Sequence, residues 1–323
     1  MEQIERVAAG KSFRCSGLIR GIGDDAAIFR PTPGFDQILT CDWFLEGTHF
    51  LRDTHPPDAI GWKCLARAVS DVAAMGGSPR CFLLSLALPA SHTGSWMQDF
   101  LHGLRRAARR LGCVLAGGDT TQRKDILINL TVVGEAKRGT EVLRSGAQPG
   151  DILFTSGRLG EAELGLRRIR SNKQPANLRD PLLRKHLYPE PRLALGRWLA
   201  ESRLASAMMD LSDGLSTDLP RLCAASGVGA RIVAAKIPAP EQFKGARGSA
   251  HDSLELALHG GDDYELLFTV PQRERKRVPR SFRGLPITAI GETTRPRTLL
   301  LVRDDGQESP LPNLGWDPFR NSR

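Results

Sequence analysis

Cysteine is sparse in this chain and never paired in sequence. The six cysteines, at 15, 41, 64, 81, 113 and 223, form no C-x-x-C and no cysteine–histidine group with zinc spacing. That excludes a disulfide framework and a zinc finger, and leaves reduced, mostly buried thiols as the expectation. Long apolar runs are missing too. The longest, CFLLSLALP (81–89), is far too short to span a bilayer and is broken by Ser85, so no membrane span is expected. The N-terminal MEQIERVAAG lacks the apolar core of a secretory signal, which points to a cytoplasmic protein. Tyrosine occurs twice and aromatics make up 6% of the chain. Basic residues are plentiful, with a net charge of +9, but RRAARR (105–110), RRIR (167–170) and RERKR (273–277) carry almost no aromatic interleaving. A specific nucleic-acid reader is therefore not expected. A solvated basic surface, or a general attraction for phosphorylated small molecules, fits better.

What is present is an alternation of strand-like and helix-like segments over 323 residues, enough for two cores. Strands are predicted at 37–44, 80–89, 113–118 and 126–136, with helices at 56–77 and 95–112. The second helix has an apolar stripe of Trp96, Phe100, Leu104, Ala107 and Leu111, closed by Gly112. The texture changes at KRGTEVLRSGAQPGD (137–151), rich in turn formers, and the domain boundary is placed near residue 137. Beyond it come a strand at 152–157, a helix at 160–169, a polar loop at 170–180 and a helix at 191–202. A strand running into a loop (206–215), a helix at 215–226, a loop feeding a strand (259–270), and strands at 287–292 and 298–304 follow. Both halves read as α/β or α+β.

Three nucleotide- and metal-binding patterns fail on inspection. AAGKS (8–12) ends like a Walker A loop, but Glu5 stands where its first glycine would be. GIGDDA (21–26) fits G-x-G-x-x-A, yet a strand-like AAIF follows it and Asp24 and Asp25 would face the pyrophosphate. No EF-hand loop is present.

The aspartates form a pattern of their own. Asp24–Asp25, Asp42, Asp71, Asp119, Asp210 with Asp213, and Asp262–Asp263 stand at the ends of apolar runs, several beside glycine, in an otherwise basic chain. Each alone is a turn former or a helix cap, and Asp213 could cap the helix starting at Leu215. Six such motifs together suggest a ring. Asp71 lies at the edge of its helix's buried stripe of Ile60, Cys64, Ala68, Val69, Val72 and Met75, with Lys63 and Arg67 on the same flank. Its partner is either a metal ion or Arg67, one turn away. Two carboxylates about 5 Å apart repel by roughly 3 kcal/mol at an effective dielectric near 20. A converging set would need hard divalent cations, and Mg²⁺ usually arrives with phosphate.

GIGDDAAIF, TCDWFLEGTHF, GWKCLARAVSDVAAMGGSP, AGGDTT, LRSGAQPGD, MMDLSDGLSTDL and GGDDYELLFTVP occur in this order along nearly the whole chain. Together they resemble the thiamine-monophosphate kinase family, within the ATP-binding superfamily that also holds aminoimidazole ribonucleotide synthetase and selenophosphate synthetase. The resemblance implies a two-domain aminoimidazole ribonucleotide synthetase-like fold. Residues 1–137 would form an N-terminal α/β domain that binds ATP and Mg²⁺ and dimerises through its sheet. Residues 138–323 would form a C-terminal α/β domain completing the nucleotide and substrate site. It implies transfer of the ATP γ-phosphoryl group directly to thiamine monophosphate, with several Mg²⁺ ions.

Position by position, Asp25, Thr40, Asp42, Asp71, Asp119, Asp210 and Asp213 match metal ligands, with Asp25, Asp42, Asp71 and Asp213 as the catalytic set. Gly118, Asp119, Arg144 and Ser212 match ATP contacts. His49, Asp262 and Trp316 match substrate positions. Three departures fall near the substrate: Ala68 replaces an asparagine, Asp262 a glutamate, and Pro318 a histidine. Within the superfamily, selenophosphate chemistry would want a reactive cysteine, for which Cys15 is the candidate.

Overall fold

The computed structural model describes residues 15, 17–171, 179–241 and 250–319. The AAGKS segment and most of the predicted polar loop (172–178) lie outside the described residues. The chain begins with a short ribbon, β1 (Leu18–Arg20) against β2 (Ile28–Phe29), folded around GIGDDAA. A sheet of four strands follows, in the order β3 (Phe35–Leu45), β6 (Leu127–Lys137), β4 (Ser78–Leu88), β5 (Val114–Gln122). All neighbours are antiparallel except β4 and β5.

One face of this sheet is covered by α1 (Pro57–Ala74) and α2 (Ser95–Leu111). The two helices approach closely because glycines meet at their crossing. A Cβ on Gly61 would lie 2.0 Å from the Phe100 carbonyl oxygen, and one on Gly103 would lie 1.8 Å from that of Asp58. The predicted stripe on α2 is inside except for half-buried Trp96, and Gly112 closes the helix at φ 72°. Helix α1 differs from its predicted one-sided form, being buried nearly all round. It is wedged between the sheet, α2 and the second half of the chain, so tertiary packing overrides the amphipathic pattern.

The second half is built on a mixed sheet ordered β14 (Glu308–Pro310), β13 (Leu299–Val302), β9 (Gly229–Val233), β12 (Leu285–Thr294), β7 (Ile152–Ser156), β10 (Glu265–Val270), β8 (Ala207–Leu211), with β11 (Ser281–Phe282) beside β12. Helices α3 (Glu161–Ser171), α4 (Pro181–Leu187), α5 (Leu193–Glu201), α6 (Leu215–Ser226) and α7 (Ala250–His259) surround it. The sequence reading missed α4, α7, β9, β11 and β14. For α4 a local signal existed: Asp180 accepts the Leu182 N–H at 2.9 Å and Pro181 opens the first turn.

The halves meet through α1. Its C-terminal end packs on α5, and its Asp71 turn faces edge strand β8. A cleft therefore opens where the end of α1 and the middle of β3 confront β8 and the loop after it.

Candidate active site

Three elements bring acidic side chains into this cleft. Strand β3 carries Thr40 and Asp42 on alternate positions, α1 carries Asp71, and β8 carries Asp210, with Asp213 two residues beyond its end. Thr40 Oγ1 donates to Asp71 Oδ2, so the partner of Asp71 is Thr40. Arg67, the alternative partner predicted one turn earlier, instead stands 3.9 Å from Asp42.

The electrostatics are those of a crowded acidic cluster. Burial first, and then Asp71 and Asp213, push Asp42 up to about 6 against the pull of Arg67. Burial, then Asp71, push Asp210 up to about 8. Burial also raises Asp71. Like charges desolvated together disfavour ionisation, and a cation between them would restore it.

The donors around the cleft are all hard oxygens, which suits Mg²⁺. Among the described residues no three Asp, Glu, His or Cys side chains enclose an ion by themselves.

Asp25 and Asp119 stand apart from that cluster. Both are exposed, Asp25 in the loop between β1 and β2, and Asp119 on β5 with its carboxylate accepting the Thr120 N–H at 2.8 Å. The neighbouring Asp24 is a local device, bonded to Arg20 at 3.0 Å and accepting the Asp25 N–H. Gly118 is required sterically, since a Cβ there would fall 1.9 Å from the Leu84 carbonyl oxygen of the parallel neighbour β4. Arg144 is exposed but close enough to lower Asp71, and its carbonyl accepts the Ser226 hydroxyl at 2.9 Å.

The loop after β8 is organised by a residue the motif reading missed. Asp218, fully buried on α6, accepts the backbone N–H groups of Ser212 and Asp213 at 3.0 and 2.9 Å. Arg221 binds both Asp213 (2.5 Å) and Asp218 (2.8 Å). The C-terminal segment then docks on this loop. Trp316 donates its backbone N–H to the Asp213 carbonyl at 2.9 Å, and Thr217 Oγ1 donates to Asn313 at 2.8 Å.

Trp316 thereby lines a cavity of about 580 Å³ together with His49, Asp262, Ser212, Asp213 and Arg67. The three predicted substrate residues share this cavity, and Ser212 and Asp213 join it to the acidic cleft. His49 Nδ1 accepts the Leu45 N–H at 3.0 Å, which leaves Nε2 as the donor. Burial and the nearby Arg67 hold its pKa down at about 4, so the imidazole is neutral.

Asp262 is partly open to the cavity. Lys63, only 1% exposed, reaches it from α1 at 2.8 Å, and Tyr264 donates to its other oxygen at 2.7 Å. Burial would raise the Asp262 carboxyl, but the Lys63 ammonium outweighs it and holds it well below the usual carboxylate range. Behind Lys63, buried His186 and His55 touch at 3.1 Å. No sequence motif marked this group. The one signal was the place of Lys63 on the flank of α1.

Asp263, grouped above with the candidate carboxylates, points the other way. It accepts the N–H groups of Gly160 and Ala162 at 2.5 and 3.2 Å, anchoring the start of α3. Cys15 is half-buried, and burial raises its thiol above the ordinary value, which disfavours the thiolate a selenium chemistry would need.

Residues 23–136 match the AIR synthase related protein N-terminal domain, and residues 148–302 match the corresponding C-terminal domain. Thiamine-monophosphate kinase from Bacillus subtilis is 35% identical over 318 residues, covering 96% of each chain. The crystal structure of thiamine-monophosphate kinase from Stenotrophomonas maltophilia superposes with a TM-score of 0.82 at 34% identity, over 95% of this chain and 96% of that one. AaThiL complexed with AMPPCP and TMP superposes with a TM-score of 0.77 at 34% identity, over 92% of each chain. With this fold, and with relatives of this identity spanning almost its entire length, the chain belongs to the thiamine-monophosphate kinase family of AIR synthase related proteins.

Proposed function

We propose that the protein transfers the γ-phosphoryl group of ATP directly to thiamine monophosphate, giving ADP and thiamine diphosphate, in the cytoplasm. The observation that carries this is the continuity, through Ser212 and Asp213, of an acidic cleft with a cavity holding His49, Asp262 and Trp316. The relative complexed with AMPPCP and TMP supports the same pair of ligands.

An oxygen of the acceptor phosphate attacks the γ-phosphorus. The bond from that phosphorus to the β–γ bridging oxygen breaks, and ADP leaves with the electron pair. A phosphate oxygen is already ionised at pH 7, so no strong base is needed and the barrier is set by positioning and by repulsion between anions. Thr40, Asp42, Asp71, Asp210 and Asp213 would hold Mg²⁺ ions, and Asp25 and Asp119, exposed and apart from that cluster, are assigned to the same ions. Bound there, Mg²⁺ supplies charge neutralisation for donor and acceptor. Gly118, Arg144 and Ser212 are assigned to ATP. Neutral His49 donates through Nε2 to the substrate, anionic Asp262 accepts from a donor on it, and Trp316 offers a face to a cationic ring. Division near residue 137 would put the β1–β2 ribbon and the four-stranded sheet in one half and the larger mixed sheet in the other, with the proposed site on their seam.

The experiment is direct. Purified protein with ATP, thiamine monophosphate and Mg²⁺ should form ADP and thiamine diphosphate in equal amounts, and EDTA should stop it. Turnover with a different phosphate acceptor, and none with thiamine monophosphate, would overturn the substrate.

A further inference from the structure

The acceptor phosphate has to enter a cleft lined by carboxylates, and the cations around that cleft are unequally committed. Lys63 is bonded to Asp262 at 2.8 Å, Arg221 to Asp213 and Asp218, and Arg167, which lines the cavity, to Glu163 at 2.8 Å. Arg67 is different. Its contact with Asp42 is 3.9 Å, beyond hydrogen-bond length. Its Nε is buried and, among the described residues, has no hydrogen-bond partner. The side chain is 15% exposed, and the exposed part lines the cavity beside Asp213 and Asp262. Its guanidinium carbon rests 5.3 Å from the centre of the Phe44 ring, which restricts where the group can lie.

A buried donor without a partner costs free energy, and it stands here at the junction of the acidic cleft and the substrate cavity. A guanidinium in that position has the planar fork that matches a phosphate.

We propose that Arg67 is a substrate-binding residue whose guanidinium takes the phosphate of the acceptor where the aspartate cluster meets the substrate cavity. The assignment rests on the kinase function proposed above. A phosphoryl oxygen could also come from the donor nucleotide. Arg67 is assigned to the acceptor because it shares the cavity with all three substrate residues, His49, Asp262 and Trp316, whereas of the ATP positions only Ser212 lines it and Gly118 and Arg144 do not.

The test compares wild type with Arg67→Met and Arg67→Lys. Affinities for thiamine monophosphate and for thiamine are measured by calorimetry in Mg²⁺ buffer, and the KM for ATP by turnover. Arg67→Met should lose affinity for thiamine monophosphate on the order of 10- to 100-fold, as expected for a hydrogen bond to a charged group. Its affinity for thiamine and its KM for ATP should stay within about twofold of wild type. Arg67→Lys, which keeps the charge but not the fork, should fall between. The readout is the ratio of the two affinities, so a variant that weakens both ligands equally through altered packing counts against the assignment. A rise confined to the KM for ATP, or no change in the ratio, also overturns it. Wild-type turnover of thiamine monophosphate with an unmoved ratio in both variants overturns Arg67 alone. Wild type that neither binds nor phosphorylates thiamine monophosphate overturns the function along with it.

Discussion

At the scale of single residues, the aspartates separate by what each carboxylate touches. Asp24, Asp218 and Asp263 are committed to backbone N–H groups or to arginine. Asp42, Asp71 and Asp210 face one another across the cleft. Asp213 belongs to both sets: its carbonyl seats Trp316 and its carboxylate bonds a half-exposed Arg221. Asp213→Asn should lower turnover on the order of 100- to 1000-fold, the scale set by loss of one electrostatic contact in a transition state. Its thermal stabilisation by Mg–ATP should shrink, while the unliganded melting temperature moves little, because exposed ion pairs contribute at most about 1 kcal/mol. A collapse of the unliganded melting temperature would make the residue structural first. Trp316→Ala should raise the KM for thiamine monophosphate roughly tenfold with little effect on that for ATP, the size expected when an aromatic face under a cation is lost.

At the scale of elements, the most committed tie is Glu265 at the start of β10. Fully buried, it accepts from Ser156 of β7 at 2.6 Å, from Lys185 of α4 at 2.5 Å and from Arg192, which stands just before α5, at 2.7 Å. One carboxylate therefore locks two helices onto two central strands. Burial alone would raise its pKa, but Lys185 and Arg192 pull it down from 4.5 to about 2. Because the folded value is the lower one, this contribution is complete above pH 4.5 and is lost as the pH falls towards about 2. Glu265→Gln should destabilise the fold by about 3–5 kcal/mol at pH 7, since it leaves two buried cations facing a neutral group. The gap between the wild-type and variant urea midpoints should close progressively between pH 4.5 and pH 2. A gap independent of pH would show that the charge of Glu265 contributes nothing.

At the scale of the whole molecule, the four-stranded sheet covers one face with helices and leaves large apolar groups on the other. Leu39 and Trp43 of β3 are 69% and 55% exposed, and Leu83 of β4 is 40% exposed. Exposed apolar groups clustered on one sheet face fit a self-complementary, two-fold contact between copies of the chain. We propose that this face forms the homodimer. Trp43→Glu should shift the mass measured by light scattering from dimer to monomer. A monomeric wild type, or a variant still dimeric, would remove the proposal. Among the described residues no helix is long and apolar enough to cross a membrane.

Sequence alone determined whatever depends on near neighbours in the chain. The helices at 57–74 and 95–111 were legible because 3.6-residue periodicity, Pro57 and Gly112 are local. The acidic motifs were legible because aspartate beside glycine at strand ends stands out in a basic chain. Tertiary structure alone decided which carboxylates meet, since Asp42, Asp71 and Asp210 come from three elements and their electrostatic coupling depends on distance through space. It turned Arg67 from Asp71 towards Asp42 and the cavity. It also buried Lys63 against Asp262, 199 residues away, by wedging α1 between the two halves. Periodicity records which side of a helix is apolar; it carries no record of what a second domain will press against the other side.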